Sequence, residues 1–137
     1  MAEYNKFSTP PGLNHVGSYQ VSGIPYLTGS ASLAANLEDQ IKFPMVTNNF
    51  TVINTGDTAL RVTFASVANA AVELKMHYIE LSDKKDSVTF NVKCKEVYVS
   101  NVDGSSAGSY SLMAELTQIP TARMYALSGS GINENSA

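Results

Sequence analysis

The feature that most constrains the fold is a run in which apolar and polar residues alternate, Ser87 to Asn101. From Val88 to Cys94 the apolar side chains occupy even-numbered positions, whereas Val97 and Val99 occupy odd-numbered ones. Alternation with a period of two is typical of a strand with one buried face. A change of phase at Lys95-Glu96 fits either a bulge or a bend into a second sheet, and we favour the bend.

Similar alternation recurs through the chain at spacings of about eight to twelve residues, which is typical of all-β domains. Besides the run above, the predicted strands are Ser18–Ser22, Glu38–Phe43, Phe50–Asn54, Leu60–Phe64, Ala71–Leu81 and Tyr110–Leu116.

Two of these predictions include a specific local feature, a turn in one case and a bulge in the other. The residues Asn54 to Asp57 have the composition of a tight turn, because Asn, Asp and Gly tolerate left-handed backbone, so Phe50–Asn54 and Leu60–Phe64 are predicted to form a hairpin. Within Ala71–Leu81 the apolar phase shifts at Tyr78-Ile79, which predicts a bulge there.

The segment before Pro44 is ambiguous. Gly23 and Pro25 interrupt the first alternation, so the chain after Gly23 is predicted to be irregular. Leucine and isoleucine spaced four apart permit a short helix capped by Ser30 or Ser32. A strand over Glu38–Phe43 is the favoured alternative, because everything downstream is predicted to be strand.

Together these patterns predict an all-β fold, an antiparallel β-sandwich of jelly-roll-like topology with about seven or eight strands. The length of 137 residues fits one domain. We assign residues 15–120 to the sandwich, 1–14 to an extended N-terminal arm containing Pro10-Pro11, and 121–137 to a C-terminal arm or tail rich in Gly, Ser and Asn.

Composition argues against several classes of function. The net charge is -3 and only 15% of residues are charged, so no basic cluster for nucleic acid is present. The sequence contains no apolar run of membrane-spanning length and no recognisable secretory signal. A single cysteine excludes an intrachain disulfide, so synthesis in the cytoplasm is the expectation.

The sequence also lacks a recognisable catalytic or metal-binding motif. Neither His15 nor His77 has a second metal-binding residue at the sequence spacing of a known metal-binding motif. Cys94 falls on the apolar phase of a strand, which suits a buried packing residue. Carboxylates such as Glu38-Asp39 are assigned to solvated surface. We therefore predict a protein that is not an enzyme, with no catalytic residue, cofactor or metal ion.

The arms carry apolar side chains that could anchor on a neighbouring subunit. Tyr4, Phe7, Met124 and Tyr125 are the predicted partner-binding residues. The alternative, that these side chains pack on their own domain, is left open by the sequence.

Four runs carry a resemblance to a known group of proteins: Glu3–Ser30, Ile41–Gly56, Val88–Asn101 and Leu127–Asn135. In these runs the chain resembles small virion structural proteins of tailed bacteriophages of marine and cyanobacterial hosts, and most of all capsid decoration or cement proteins. The resemblance implies a β-sandwich on the capsid exterior that contacts the major capsid protein and copies of itself, and so stabilises the shell.

Two other virion functions stay open at this point. One is a carbohydrate- or receptor-binding module of a phage fibre, which usually presents exposed aromatic rings beside Asp, Asn or Arg. The other is a tail or connector component, which predicts that the isolated protein forms rings or stacked tubes.

Overall fold

The computed structural model describes Leu13, residues 23–66, residues 76–129 and residues 131–133. This part of the chain contains eight strands and one short 3-10 helix, Thr121–Arg123. The strands are β1 (Ile24–Leu33), β2 (Glu38–Lys42), β3 (Met45–Asn54), β4 (Leu60–Thr63), β5 (Ile79–Leu81), β6 (Ser87–Phe90), β7 (Glu96–Asn101) and β8 (Gly108–Pro120).

The strands form two four-stranded antiparallel sheets. Sheet A has the order β1-β8-β3-β6, and sheet B has the order β2-β7-β4-β5. The pairs β1–β8, β2–β7, β3–β6 and β4–β5 are therefore nested, the first strand with the last and so on inwards. The predicted all-β antiparallel sandwich is confirmed.

The bend predicted at Lys95-Glu96, within the alternating run Ser87 to Asn101, is also confirmed. β6 ends at Phe90 and pairs with β3 in sheet A, while β7 begins at Glu96 and pairs with β2 and β4 in sheet B. The residues between them cross from one sheet to the other. Cys94 is fully buried in this crossing and Val97 and Val99 are fully buried in β7, so the change of phase marks a change of sheet.

The predicted hairpin between Phe50–Asn54 and Leu60–Phe64 is wrong. β3 pairs with β6 and β8, whereas β4 pairs with β5 and β7, so these neighbours in sequence lie in different sheets. The buried Asn54 side chain holds the crossing. Its Nδ2 donates to the carbonyl oxygens of Thr58 and Leu81 at 2.8 and 2.9 Å, and its Oδ1 accepts from the Gly56 amide at 3.0 Å.

The first part of the described chain also departs from expectation. Residues predicted to be irregular after Gly23 form the ten-residue strand β1, which pairs with β8 along most of its length. The strand over Glu38–Phe43 is confirmed as β2. The predicted strand Ser18–Ser22 lies outside the described residues. Of the predicted strand Ala71–Leu81 the structure describes a strand only from Ile79 onward, so the bulge predicted at Tyr78-Ile79 falls at the start of β5.

The core between the sheets is centred on Phe50, which is fully buried. Its ring contacts those of Phe43, Phe64 and Phe90, with centroid separations of 6.0, 6.0 and 5.1 Å. Valines and leucines of β3, β4, β7 and β8 surround this aromatic cluster. The cluster joins both sheets, and so its burial fixes which face of every strand points outward.

Candidate partner-binding face

The outer surface of sheet A is nearly free of charge. Its residues follow from the strand register, because positions next to the buried Phe50, Val52, Leu112 and Ala114 point away from the core. We call this surface the uncharged face, and it comprises Pro25, Leu27, Gly29, Asn49, Thr51, Ile53, Ser87, Thr89, Ser111, Met113 and Glu115. Among these paired positions the only charged residue is Glu115, which accepts a hydrogen bond from Asn49 Nδ2 at 3.2 Å.

Two large apolar side chains lie next to each other on the uncharged face. Leu27 on β1 is directly opposite Met113 on β8, and the two are 74% and 49% exposed. The row continues through Thr51 to Thr89, whose hydroxyl oxygens are 2.8 Å apart. Few charges and an exposed Met are features of protein–protein interfaces.

The outer surface of sheet B has the opposite character, and we call it the charged face. By the same register argument, it carries Glu38, Lys42, Arg61, Glu80 and Glu96 together with Gln40 and Tyr98. The charged residues of the two sheets are thus concentrated on one side of the sandwich.

Hydrogen bonds order part of the charged face. Gln40 Nε2 donates to Glu96 Oε1 at 3.0 Å and to Tyr98 Oη at 3.1 Å, and Tyr98 Oη donates to Glu96 Oε2 at 3.3 Å. Partial burial, and then the Glu96 carboxylate, raise the pKa of Tyr98. The three side chains therefore form a closed polar cluster that includes the aromatic ring of Tyr98.

A second group of charged-face residues surrounds Arg61. Its Nε donates to Glu80 Oε1 at 3.1 Å, and its guanidinium carbon lies 4.1 Å from the centroid of the Tyr78 ring. Such a pair and ring contact fix the orientation of a long side chain but contribute little stability at the surface.

One carboxylate assigned to solvated surface has a structural role instead. Asp39 lies on the inward side of β2, where Tyr110 Oη of β8 donates to its Oδ2 at 2.8 Å. Burial, and then the hydrogen bond and the charge of Asp39, raise the pKa of Tyr110. This bond joins the two sheets. The sequence does contain a signal for it, because Asp39 shares the strand phase of the apolar Ile41 and so points inward.

The four predicted partner-binding residues have different positions. Tyr4 and Phe7 lie outside the described residues. Tyr125 is 68% exposed and so is accessible to a partner, whereas Met124 is only 5% exposed. For Met124 the structure therefore corresponds to the alternative of packing on its own domain.

Met124 belongs to a small second core at the Pro120 end of the sandwich. It packs with Val46 and Ile119, and Leu13 and Leu127 cover the cluster. Lys95 Nζ donates to the Met124 carbonyl oxygen at 3.1 Å, and Lys93 Nζ donates to that of Leu13 at 2.8 Å. Both terminal segments are thus attached to the domain at Leu13 and at Met124.

Cys94 is a buried packing residue. Burial raises the pKa of its thiol to about 11, and its Sγ lies 3.3 Å from Thr47 Oγ1. A thiol with so high a pKa is a weak nucleophile at neutral pH because little thiolate forms.

Within the described residues no three His, Cys, Asp or Glu side chains come together as metal ligands. His15 lies outside those residues and His77 is partly buried ahead of β5. Nor does the described part of the chain contain a helix long and apolar enough to span a bilayer.

Comparison of the chain with protein-family models, with curated proteins and with solved structures finds no match.

Proposed function

We propose that the protein is a non-enzymatic virion component, a capsid decoration or cement protein on the exterior of a bacteriophage head. The observation that carries the proposal is the uncharged face, where Leu27 and Met113 are exposed side by side. A surface with few charges can be desolvated against another protein at low cost, because the only charged side chain among its paired positions, Glu115, already accepts a hydrogen bond from Asn49.

The topology supports the same class of function. The nested pairing of first strand with last is the one that a jelly roll has, and jelly rolls occur in viral capsid domains, lectin domains and cupins. A fold alone does not assign a function. The uncharged face is the feature that favours the capsid role among these three.

In this role the protein acts mechanically. Each copy contacts adjacent major capsid subunits through the uncharged face, so the charged face points to solvent and keeps the decorated particle soluble. Because a shell presents many equivalent sites, modest contacts add up to a large stabilisation of the particle. The N-terminal arm with Tyr4 and Phe7, and the exposed Tyr125, are proposed to add further contacts.

A co-sedimentation experiment tests the proposal. The purified chain is mixed with empty capsids of the phage that encodes it, and occupancy is measured after pelleting. Met113→Lys places a charge in the middle of the uncharged face and is expected to reduce occupancy at least tenfold. The matched variant Gln40→Lys adds the same charge to the charged face and is expected to bind like the wild type.

Equal occupancy of both lysine variants would contradict the use of the uncharged face. Absence of wild-type binding would contradict the decoration role itself. Rings or tubes of the isolated protein would instead favour the tail or connector function.

The contribution of the N-terminal arm needs a separate variant. Deleting residues 1–12 removes Tyr4 and Phe7 but keeps Leu13, which packs on the second core. A drop in occupancy without a change in thermal stability is expected if the arm anchors on the shell. Undiminished occupancy would exclude that role.

The charged face favours one second candidate, a carbohydrate-binding module of a phage fibre. Tyr98 offers an aromatic ring beside Gln40 and Glu96, the combination that sugar sites use for stacking and hydrogen bonding. A glycan array tests it: specific binding that Tyr98→Ala abolishes and Met113→Lys does not would establish this function in place of the first.

A further inference from the structure

The four sheet edges differ in how well they are protected from pairing with another chain. β5 and β6 are three and four residues long, and β2 is five residues long and carries Glu38, Asp39 and Lys42. Short length and charge are common protections of an edge strand. β1 has ten residues and no charge, and among the described strands it pairs with β8 alone.

The position of Pro25 identifies which backbone groups of β1 point outward. Proline lacks an N–H and is found on edge strands where that position faces solvent. Because backbone direction alternates along a strand, Leu27 and Gly29 then direct their N–H and C=O groups away from β8.

The geometry at Gly29 is consistent with this assignment. A Cβ added there would lie 3.1 Å from Ser111 Cα, so the two backbones approach closely. Close approach is a property of the non-hydrogen-bonded pairs of an antiparallel ladder. Among the described residues no strand occupies this side of β1, so the outward groups of Leu27 and Gly29 can pair with a further strand.

We propose that β1 is a strand-addition site whose occupant is β1 of a second copy of this chain, in an antiparallel dimer with two-fold symmetry. With Thr28 on the two-fold axis, Leu27 of one copy pairs with Gly29 of the second copy, and Gly29 of the first copy pairs with Leu27 of the second. The two pairs exchange four backbone hydrogen bonds. In this register Pro25, which lacks an N–H, would face Ala31 of the second copy, where β1 is irregular, so the ladder ends at these two pairs.

Side chains at this contact complement one another. Leu27, 74% exposed, lies beside Gly29 of the second copy, where no side chain competes for the space. Thr28 faces its own equivalent, a favourable cross-strand pair. Since β1 has no charge, the two-fold axis brings no like charges together.

The dimer joins the two A sheets edge to edge and places both uncharged faces on the same side. The benefit of such a doubled contact surface to the virion rests on the proposed function, but the pairing itself does not. It is therefore tested on the purified chain without a capsid.

The first measurement is molecular mass by analytical ultracentrifugation across a concentration series. The wild type is expected to shift from 14.7 kDa to twice that mass. Leu27→Pro removes an outward N–H and blocks the edge, and Leu27→Lys brings two charges near the axis, so both are expected to stay monomeric. Met113→Lys carries the same charge one strand further in and is expected to dimerise.

Hydrogen exchange gives a readout that does not depend on a variant folding. Exchange of the Leu27 and Gly29 amide hydrogens is expected to be at least tenfold slower in a concentrated sample than in a dilute one. Those of Tyr26 and Thr28, which point to β8, should be protected in both and serve as the internal control.

Several results would overturn the pairing. They are a monomer at every concentration, Leu27 and Gly29 amides already protected at the lowest concentration, or a dimer that survives Leu27→Pro or is lost in Met113→Lys. A monomer that binds capsids refutes the pairing alone, whereas a dimer that does not bind them refutes only the proposed function.

Discussion

The hydrogen bond between Tyr110 and Asp39 allows a quantitative test of how the two sheets are held together. Tyr110→Phe removes only the hydroxyl, so the ring still fills its site and no large cavity forms. A hydrogen bond to a charged group contributes about 1.5–3 kcal/mol, and Tyr110 is almost fully buried. We therefore expect the free energy of unfolding to fall by about 2 kcal/mol at neutral pH.

Urea denaturation followed by circular dichroism measures this change. With an m-value of about 2 kcal/mol per molar, the midpoint should fall by about 1 M at constant m. Tyr98→Phe is the matched control, because its hydroxyl is bonded on the outer surface, and it should cost less than about 0.5 kcal/mol.

A double-mutant cycle separates the bond from other effects of the substitution. Combining Tyr110→Phe with Asp39→Ala should give a coupling energy of at least about 1 kcal/mol. A coupling near zero, or equal effects of Tyr110→Phe and Tyr98→Phe, would refute the idea that this bond joins the sheets.

Further predictions concern the core, the crossings and the surface. Phe50→Ala should destabilise by about 3–5 kcal/mol in the same urea assay, since it opens a cavity at the centre of the aromatic cluster; a cost below about 1 kcal/mol would contradict its central place. Asn101→Ala should cost about 1–3 kcal/mol because buried Nδ2 bonds to the Leu33 and Ser106 carbonyl oxygens are lost, and an unchanged midpoint would show that the loops hold without them. Arg61→Ala should cost less than about 1 kcal/mol, as expected of a surface pair. The pKa of Cys94, raised from its ordinary value of 9.0 to about 11, means that the unfolded thiol ionises first. Stability should therefore fall by about 2–3 kcal/mol as pH rises from about 9 to about 11, and Cys94→Ala, measured by urea titration at each pH, should lack that part of the loss.

Phase was the most informative signal in the sequence. The shift from even to odd positions after Cys94 correctly placed β6 and β7 in different sheets, because a strand must present its apolar side to whichever core it faces. The polar turn at Asn54 to Asp57 was a weaker guide. Its composition is compatible with a hairpin and with a crossing, and the choice depends on distant strands that compete for the edges of β3 and β4.

β1 was missed for a related reason. Its alternation is faint, since Gly29, Ser30 and Ala31 carry little side chain, and its pairing partner β8 lies at the other end of the sequence. The uncharged face could not be predicted either. It is assembled from four strands whose registers are set by long-range pairing, so no local window of sequence contains it.

The position of β8 has a consequence for how the chain acquires its structure. β8 follows β1 and β3 in the sequence, yet in sheet A it lies between them. Until Pro120 has left the ribosome, β1 has no complete partner among the described strands. The outermost of the nested pairs, β1–β8, therefore cannot be the first to form. Pairings so distant in sequence form slowly because a long loop must be ordered first. We therefore expect the nascent chain to depend on protection of β1 and β3 until β8 has emerged from the ribosome.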